Sequence, residues 1–330
     1  MTTPRATYRL QLRDGVTFAD AEAALPYLSA LGVSHVYLSP ILQAAPGSTH
    51  GYDVVDPRRV DDALGGDAAF EGFCAAAKAA GLGVVLDIVP NHMAIGPANP
   101  WWWDVLANGR SSRYAGHFDV DWDHPEPHLR DRILLPVLGD HYGRVLEAGE
   151  LRLGWDGQTF LVRYHDERLP VASRSLGELL RLAATRAGSD ELAFLADVHD
   201  ALPVAEPGDT AAAERHARDV RVLAERLAHL AGSPAIADSL QAVVATTNAD
   251  PESLDRLLEQ QFYRLAWWRA AQRSSRRYPS GSRSPSGWSI RRPSSSPAST
   301  QPRMRSCVSR KTRGSSSRRP MRVVSSKNRR

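Results

Sequence analysis

Cysteine is scarce in this sequence: Cys74 and Cys307 are the only two in 330 residues. Two thiols make no disulfide framework, and Cys74, in an alanine-rich helical stretch, reads as a small core residue. No window approaches the 18 consecutive apolar residues of a membrane span. The N-terminus lacks the basic and apolar regions of a signal peptide. The expectation is a reduced, cytoplasmic protein with enough apolar content, 42%, for a real core. No Gly-x-Gly-x-x-Gly follows the first strand, which argues against a dinucleotide fold. The histidines at 117, 124, 128 and 141 lack metal-ligand spacing, so neither a metal nor any other cofactor is implied.

Acidic residues are also missing, but only from one end. Residues 274–330 contain 14 Arg, 2 Lys and 18 Ser, with no Asp or Glu. All 37 acidic residues therefore lie in 1–273, and the net charge of +4 averages an acidic body with a basic tail. The tail has no apolar periodicity. Three readings compete for it: a disordered segment that binds nucleic acid through phosphate contacts, a flexible linker, or a shifted reading frame. The third is favoured, since segments 287–295 and 303–314 are compatible with codons that encode acidic, helix-like sequence in another frame.

The body alternates strand and helix patterns. Strands are expected over 6–12, 33–40 and 83–90, and helices over 18–32 and 66–81, with Gly32 and Gly81 placed as stops. This β-α-β-α-β order, with Val84–Leu86 reading as buried on both faces, predicts an α/β parallel sheet. Aromatic and polar sequence follows His92, then a small β excursion over 149–171. Helices are expected over 175–200, 209–231 and 251–272, the last with Asp250 as cap, Pro251 in the first turn, and Leu254, Leu257, Leu258, Phe262 and Leu265 on one stripe. "PWWWDVL" (100–106) reads mainly as core.

Polar residues collect where the strands end. "HGYDVVDP" (50–57), read as a loop, concentrates His50, Tyr52, Asp53 and Asp56 around Gly51; "GVVLDIVPNHM" (83–93) runs into Asp87, Asn91 and His92. An Asx turn is the plain explanation of the first group. Two such groups on adjacent βα loops would face one pocket, where a tyrosine ring can lie against a sugar and carboxylates and amides can bond its hydroxyls. In a barrel that face carries the active site.

Together "GVSHVYLSPI", "STHGYDVVDP" and "DIVPNHM" resemble the start of the α-amylase-type glycoside hydrolase superfamily. "FDVDWD", "ILLPVLGDHYGRVLEAGELRL" and "QFYRLAWWR" narrow the resemblance to its maltooligosyltrehalose synthase branch, over residues 4 to 273. The resemblance implies the N-terminal portion of a (β/α)8 TIM barrel, with a helical and β insertion after the third strand. Residues 1–95 would be the first three βα units, 96–248 the insertion, 249–273 a helix returning to the barrel, and 274–330 the basic tail. It also implies an isomerase of maltodextrins, or α-1,4-glucans, that converts the reducing-end α-1,4 bond to α,α-1,1. Tyr52 would stack beneath a sugar, His92 would hydrogen-bond it, Asp87 and Asn91 would brace the pocket floor, and Asp53 would contribute through its neighbour Tyr52. Such retaining chemistry uses two carboxyl groups roughly 5 Å apart. The family carries them on later strands, one of the form G-x-R-x-D, and no such sequence occurs here. The expectation is an incomplete barrel, with open strand edges and no catalytic residue of its own. Alternatives are another enzyme of the superfamily, a carbohydrate-binding module without chemistry, or nucleic-acid binding through the tail.

Overall fold

The computed structural model describes residues 3–205 and 208–269; the expectations for the tail lie outside the described residues. The chain opens with β1 (Thr7–Leu10), α1 (Phe18–Ala23), α2 (Leu25–Leu31), β2 (His35–Leu38), β3 (Leu42–Ala44), β4 (Val54–Val60), α3 (Gly66–Ala79) and β5 (Gly83–Leu86). β1, β2 and β5 form one parallel sheet in that order. Its register aligns Tyr8, Val36 and Val84 in one row and Arg9, Tyr37 and Val85 in the next. Because side chains alternate, Leu10, Val36, Leu38, Val84 and Leu86 share the face that packs on the helices. There they join Phe18, Leu25, Leu28, Phe73 and Ala77 in one hydrophobic cluster. Arg9, Tyr37, Val85 and then Asp87 take the opposite face.

Three details depart from the sequence reading. The 18–32 helix is two helices, broken at Ala24; Pro26, in the first turn of α2, has no N–H to continue the first. The 50–57 stretch is not all loop, because β3 and β4 form an antiparallel hairpin. Val84–Leu86 is only partly buried, since β5 pairs with β2 alone among the described residues.

The second part runs through α4 (Pro100–Asn108), β6 (Ile133–Leu138), α5 (Tyr142–Glu147), β7 (Leu151–Trp155), β8 (Phe160–Tyr164), β9 (Glu167–Pro170), α6 (Leu176–Ala187), α7 (Asp190–Asp200), α8 (Thr210–Leu230), α9 (Pro234–Ala249), α10 (Pro251–Glu259) and β10 (Tyr263–Trp267). The β excursion is the antiparallel sheet β7-β8-β9. The 175–200 helix divides at Gly188 and Ser189 into α6 and α7, and α9 is a helix the sequence reading passed over. A second hydrophobic cluster, from Trp101 to Leu265, joins α4, the β7-β8-β9 sheet, β6, β10 and the helices α5 to α10. Among the described residues no helix is long and apolar enough to cross a membrane.

The 251–272 helix is corrected. Asp250 caps it, and Leu254, Leu257 and Leu258 are buried as expected, but it stops at Glu259. The buried Gln261 side chain donates to the Leu257 carbonyl and to Ser175 Oγ (3.1 Å), and accepts from the Ala172 N–H (2.7 Å). Residues 263–267 then become β10 and pair in parallel with β6. Leu265 is buried on a strand, not on a helical stripe.

Candidate active site

The polar residues of the sheet's outer face converge at its C-terminal end. Asp87 directly follows β5, and its N–H is held by the Leu38 carbonyl (3.0 Å). Its carboxylate accepts the Tyr52 hydroxyl at 2.6 Å and also takes the Tyr37 hydroxyl. Arg9 Nη2 lies 4.0 Å from the same carboxylate oxygen, donates to Tyr52 Oη (3.3 Å) and is steadied by Gln11 Oε1 (3.0 Å). The hydrogen bond to Asp87 is the main reason both phenols are held above the ordinary tyrosine range.

His92 closes the cluster from the other side. Its Nε2 donates to the Tyr52 carbonyl (2.9 Å), and Nδ1 lies 2.9 Å from Asn91 Oδ1. Tyr52 stays 36% exposed, so its ring remains available to a ligand. The ring stacks loosely on His50, with centroids 6.0 Å apart. Four of the expected residues, Tyr52, Asp87, Asn91 and His92, are therefore linked by hydrogen bonds.

The fifth, Asp53, is turned away. It is buried, and its carboxylate accepts from Ser48 Oγ inside the 45–53 loop; its own carbonyl takes the Ala45 N–H (3.0 Å). Its part is to shape the loop that presents Tyr52. Sequence reasoning missed Arg9 and Tyr37, which lie inside strands among apolar neighbours. The signal that could have found them is their shared register, Arg9 opposite Tyr37, on the same face as Asp87.

The cluster is suited to binding more than to bond breaking. It offers an aromatic face, a guanidinium, an amide and a carboxylate that already accepts from phenol hydroxyls. A free carboxylate poised as nucleophile is not present in it. Among the described residues no three His, Cys, Asp or Glu side chains converge as metal ligands.

Residues 20–133 match the family model described as the α-amylase catalytic domain. A putative maltooligosyl trehalose synthase of Mycobacterium tuberculosis is 49% identical over 178 residues, covering 52% of this chain and 22% of that protein. A solved glycosyltrehalose synthase aligns with a TM-score of 0.52 at 30% identity, over 80% of this chain and 27% of the other. The maltooligosyltrehalose synthase of Arthrobacter ramosus aligns at 0.50 and 32%, over 81% and 24%. The chain thus spans about a quarter of the length of each of these relatives. They support a TIM-barrel glycosidase fold, and nucleic-acid binding has no counterpart among them.

Proposed function

We propose that this chain carries the glucan-binding side of a trehalose-forming glucosylmutase site, a reading supported by the match of residues 20–133 to the α-amylase catalytic-domain model. The substrate is an α-1,4-glucan. The reaction it serves is intramolecular transglycosylation, which moves the reducing-end bond from α-1,4 to α,α-1,1. One observation carries the reading: Tyr52, Asp87, Asn91 and His92 are joined by hydrogen bonds at the C-terminal end of a parallel sheet, the end where barrel enzymes bind substrate.

In this reading the Tyr52 ring is the platform for a pyranose, and Asp87 fixes its tilt through the hydroxyl. His92 and Asn91 present polar edges to sugar hydroxyls. Asp53 acts through the loop, and Arg9 and Tyr37 hold Asp87 in place. The first three βα units would come from the barrel, and the segment with the second hydrophobic cluster would be its insertion. The nucleophile and acid of a retaining mechanism are not among the residues of this cluster. Asp87 is engaged by two phenols and Asp53 by a serine, so the chain on its own is expected to bind without turnover.

The test is calorimetry of the purified 330-residue chain with maltoheptaose, followed by product analysis. Binding without a trehalose-ended product is expected, with Tyr52→Ala weakening affinity at least tenfold. Appearance of that product would overturn the incomplete-site reading. Absence of any glucan binding would overturn the substrate.

A further inference from the structure

Arg13 lies just after β1 and is not among the residues that face a ligand, yet it is the most heavily used buried cation of the first part. Its side chain is 4% exposed, as is that of Asp61, and the two form an ion pair at 2.6 Å. The other guanidinium nitrogen donates to two main-chain carbonyls, Pro40 (3.3 Å) and Leu42 (3.1 Å). Asp61 in turn accepts from the Ala44 N–H (3.0 Å) and the Ala63 N–H (2.9 Å). One planar fork therefore ties the end of β1, the turn after β2 and the β3–β4 hairpin together, a geometry open to arginine and not to lysine.

The same guanidinium floors the loop that carries Tyr52. Gly51 is in the left-handed region (φ +77°), and a Cβ there would lie 2.5 Å from Arg13 Nε and 2.7 Å from the Pro40 carbonyl oxygen. Arg13 itself has φ +97° and Asp14 φ +56°, a backbone form that non-glycine residues adopt only when the surroundings hold it. A two-way hydrogen bond between Arg13 and Val16 (2.7 and 3.3 Å) supplies that hold. Gly51 immediately precedes Tyr52, whose carbonyl receives His92 and whose hydroxyl meets Asp87.

We infer that Arg13 is a positioning residue for the glucan site: its guanidinium sets the height of the Gly51–Tyr52 peptide and so aligns the Tyr52 carbonyl with His92 and the Tyr52 hydroxyl with Asp87. The inference rests on the binding reading above and deepens it. Arg13 touches no sugar in this scheme; it acts through Gly51.

The test separates positioning from plain stability. In 330-residue protein labelled with 15N-histidine, the His92 Nε2 resonance, assigned by its loss in His92→Asn, reports the bond to the Tyr52 carbonyl. Arg13→Lys retains a charge for Asp61 and removes the fork. Arg13→Met with Asp61→Leu removes both charges, and such buried pairs are often replaced by apolar residues with the fold intact. Both variants are expected to keep the far-UV circular dichroism, to lose the His92 Nε2 signature and to bind maltoheptaose about tenfold more weakly. Gly51→Ala should do the same. Retention of the signature in the folded double variant would overturn the inference, as would full rescue of signature and affinity by lysine. If the unaltered chain binds no glucan, the substrate reading fails, and the His92 resonance still decides the positioning role.

Discussion

Asp87 was legible in the sequence because a carboxylate at the end of an apolar run is unusual, and Asn91 and His92 followed from it. Tyr52 was legible as the aromatic residue of a polar loop. Arg9 and Tyr37 were not, because a single polar residue inside a strand says nothing until the register places it beside another. Asp53 looked equivalent to its neighbours in sequence, and only the loop's internal bond to Ser48 sets it apart. Replacing Asp87 by Asn tests the cluster at this scale. The phenols of Tyr37 and Tyr52, raised chiefly by their bonds to the carboxylate, should titrate at lower pH in Asp87→Asn, read by 13C-tyrosine resonances; unchanged titration would show that Asp87 does not hold them. His199 offers a second case. Burial keeps its imidazole below the usual histidine range; Nδ1 donates to the Ser173 carbonyl (2.9 Å), and Nε2 is buried without a partner among the described residues. As pH falls through about 6.5 the unfolded chain takes up a proton that the folded one resists, so stability present at neutral pH is lost toward acid. His199→Asn, which keeps a donor for Ser173, should flatten the decline in urea midpoint between pH 7 and 5; an unaltered slope would assign the decline to other groups.

At the scale of elements, periodicity found β1, β2, β5 and α3 because each has the pattern of the face it buries. It failed where long-range pairing competes with local preference. Leu254, Leu257 and Leu258 continue into Phe262 and Leu265 at plausible helical spacing, but the unpaired edge of β6 recruits residues 263–267, and tertiary context overrides propensity. Gln261 marks the switch, since its side chain satisfies main-chain groups where the helix ends. Gln261→Leu would leave the Ala172 N–H and the Leu257 carbonyl without that partner. The Leu257 carbonyl keeps the Gln260 N–H (3.2 Å), so at about 1–3 kcal/mol for one unsatisfied buried group a loss of about 2 kcal/mol is expected in denaturant unfolding. A loss under about 1 kcal/mol would mean that α10 and β10 do not depend on this residue.

For the molecule as a whole, the sequence conveyed a parallel α/β start followed by a helical and β segment, and the charge contrast with the tail. It did not convey that two separate hydrophobic clusters form, because contact between residues a hundred positions apart leaves no local pattern. Leu28 in the first cluster is 1% exposed and Leu240 in the second 0%. Truncation of either to alanine should cost about 2–5 kcal/mol. With one fluorescence probe in each cluster, Leu28→Ala should shift the transition of the first probe more than that of the second, and Leu240→Ala the reverse; identical shifts would mean one cooperative unit.

The pairing of β6 with β10 also sets a timetable. Tyr263 aligns with Ile133, about 130 positions earlier, and Gly109, which caps α4, leaves room for the Phe262 ring where a Cβ would sit 2.5 Å from it. At synthesis rates of about 5–20 residues per second, β6 waits roughly 6 to 26 s for its partner strand. During that interval an apolar run, Ile133–Leu138, is accessible to chaperones and proteases. Ribosome-arrested chains should be cut within 133–138 until residue 267 has emerged, and resist cutting afterwards.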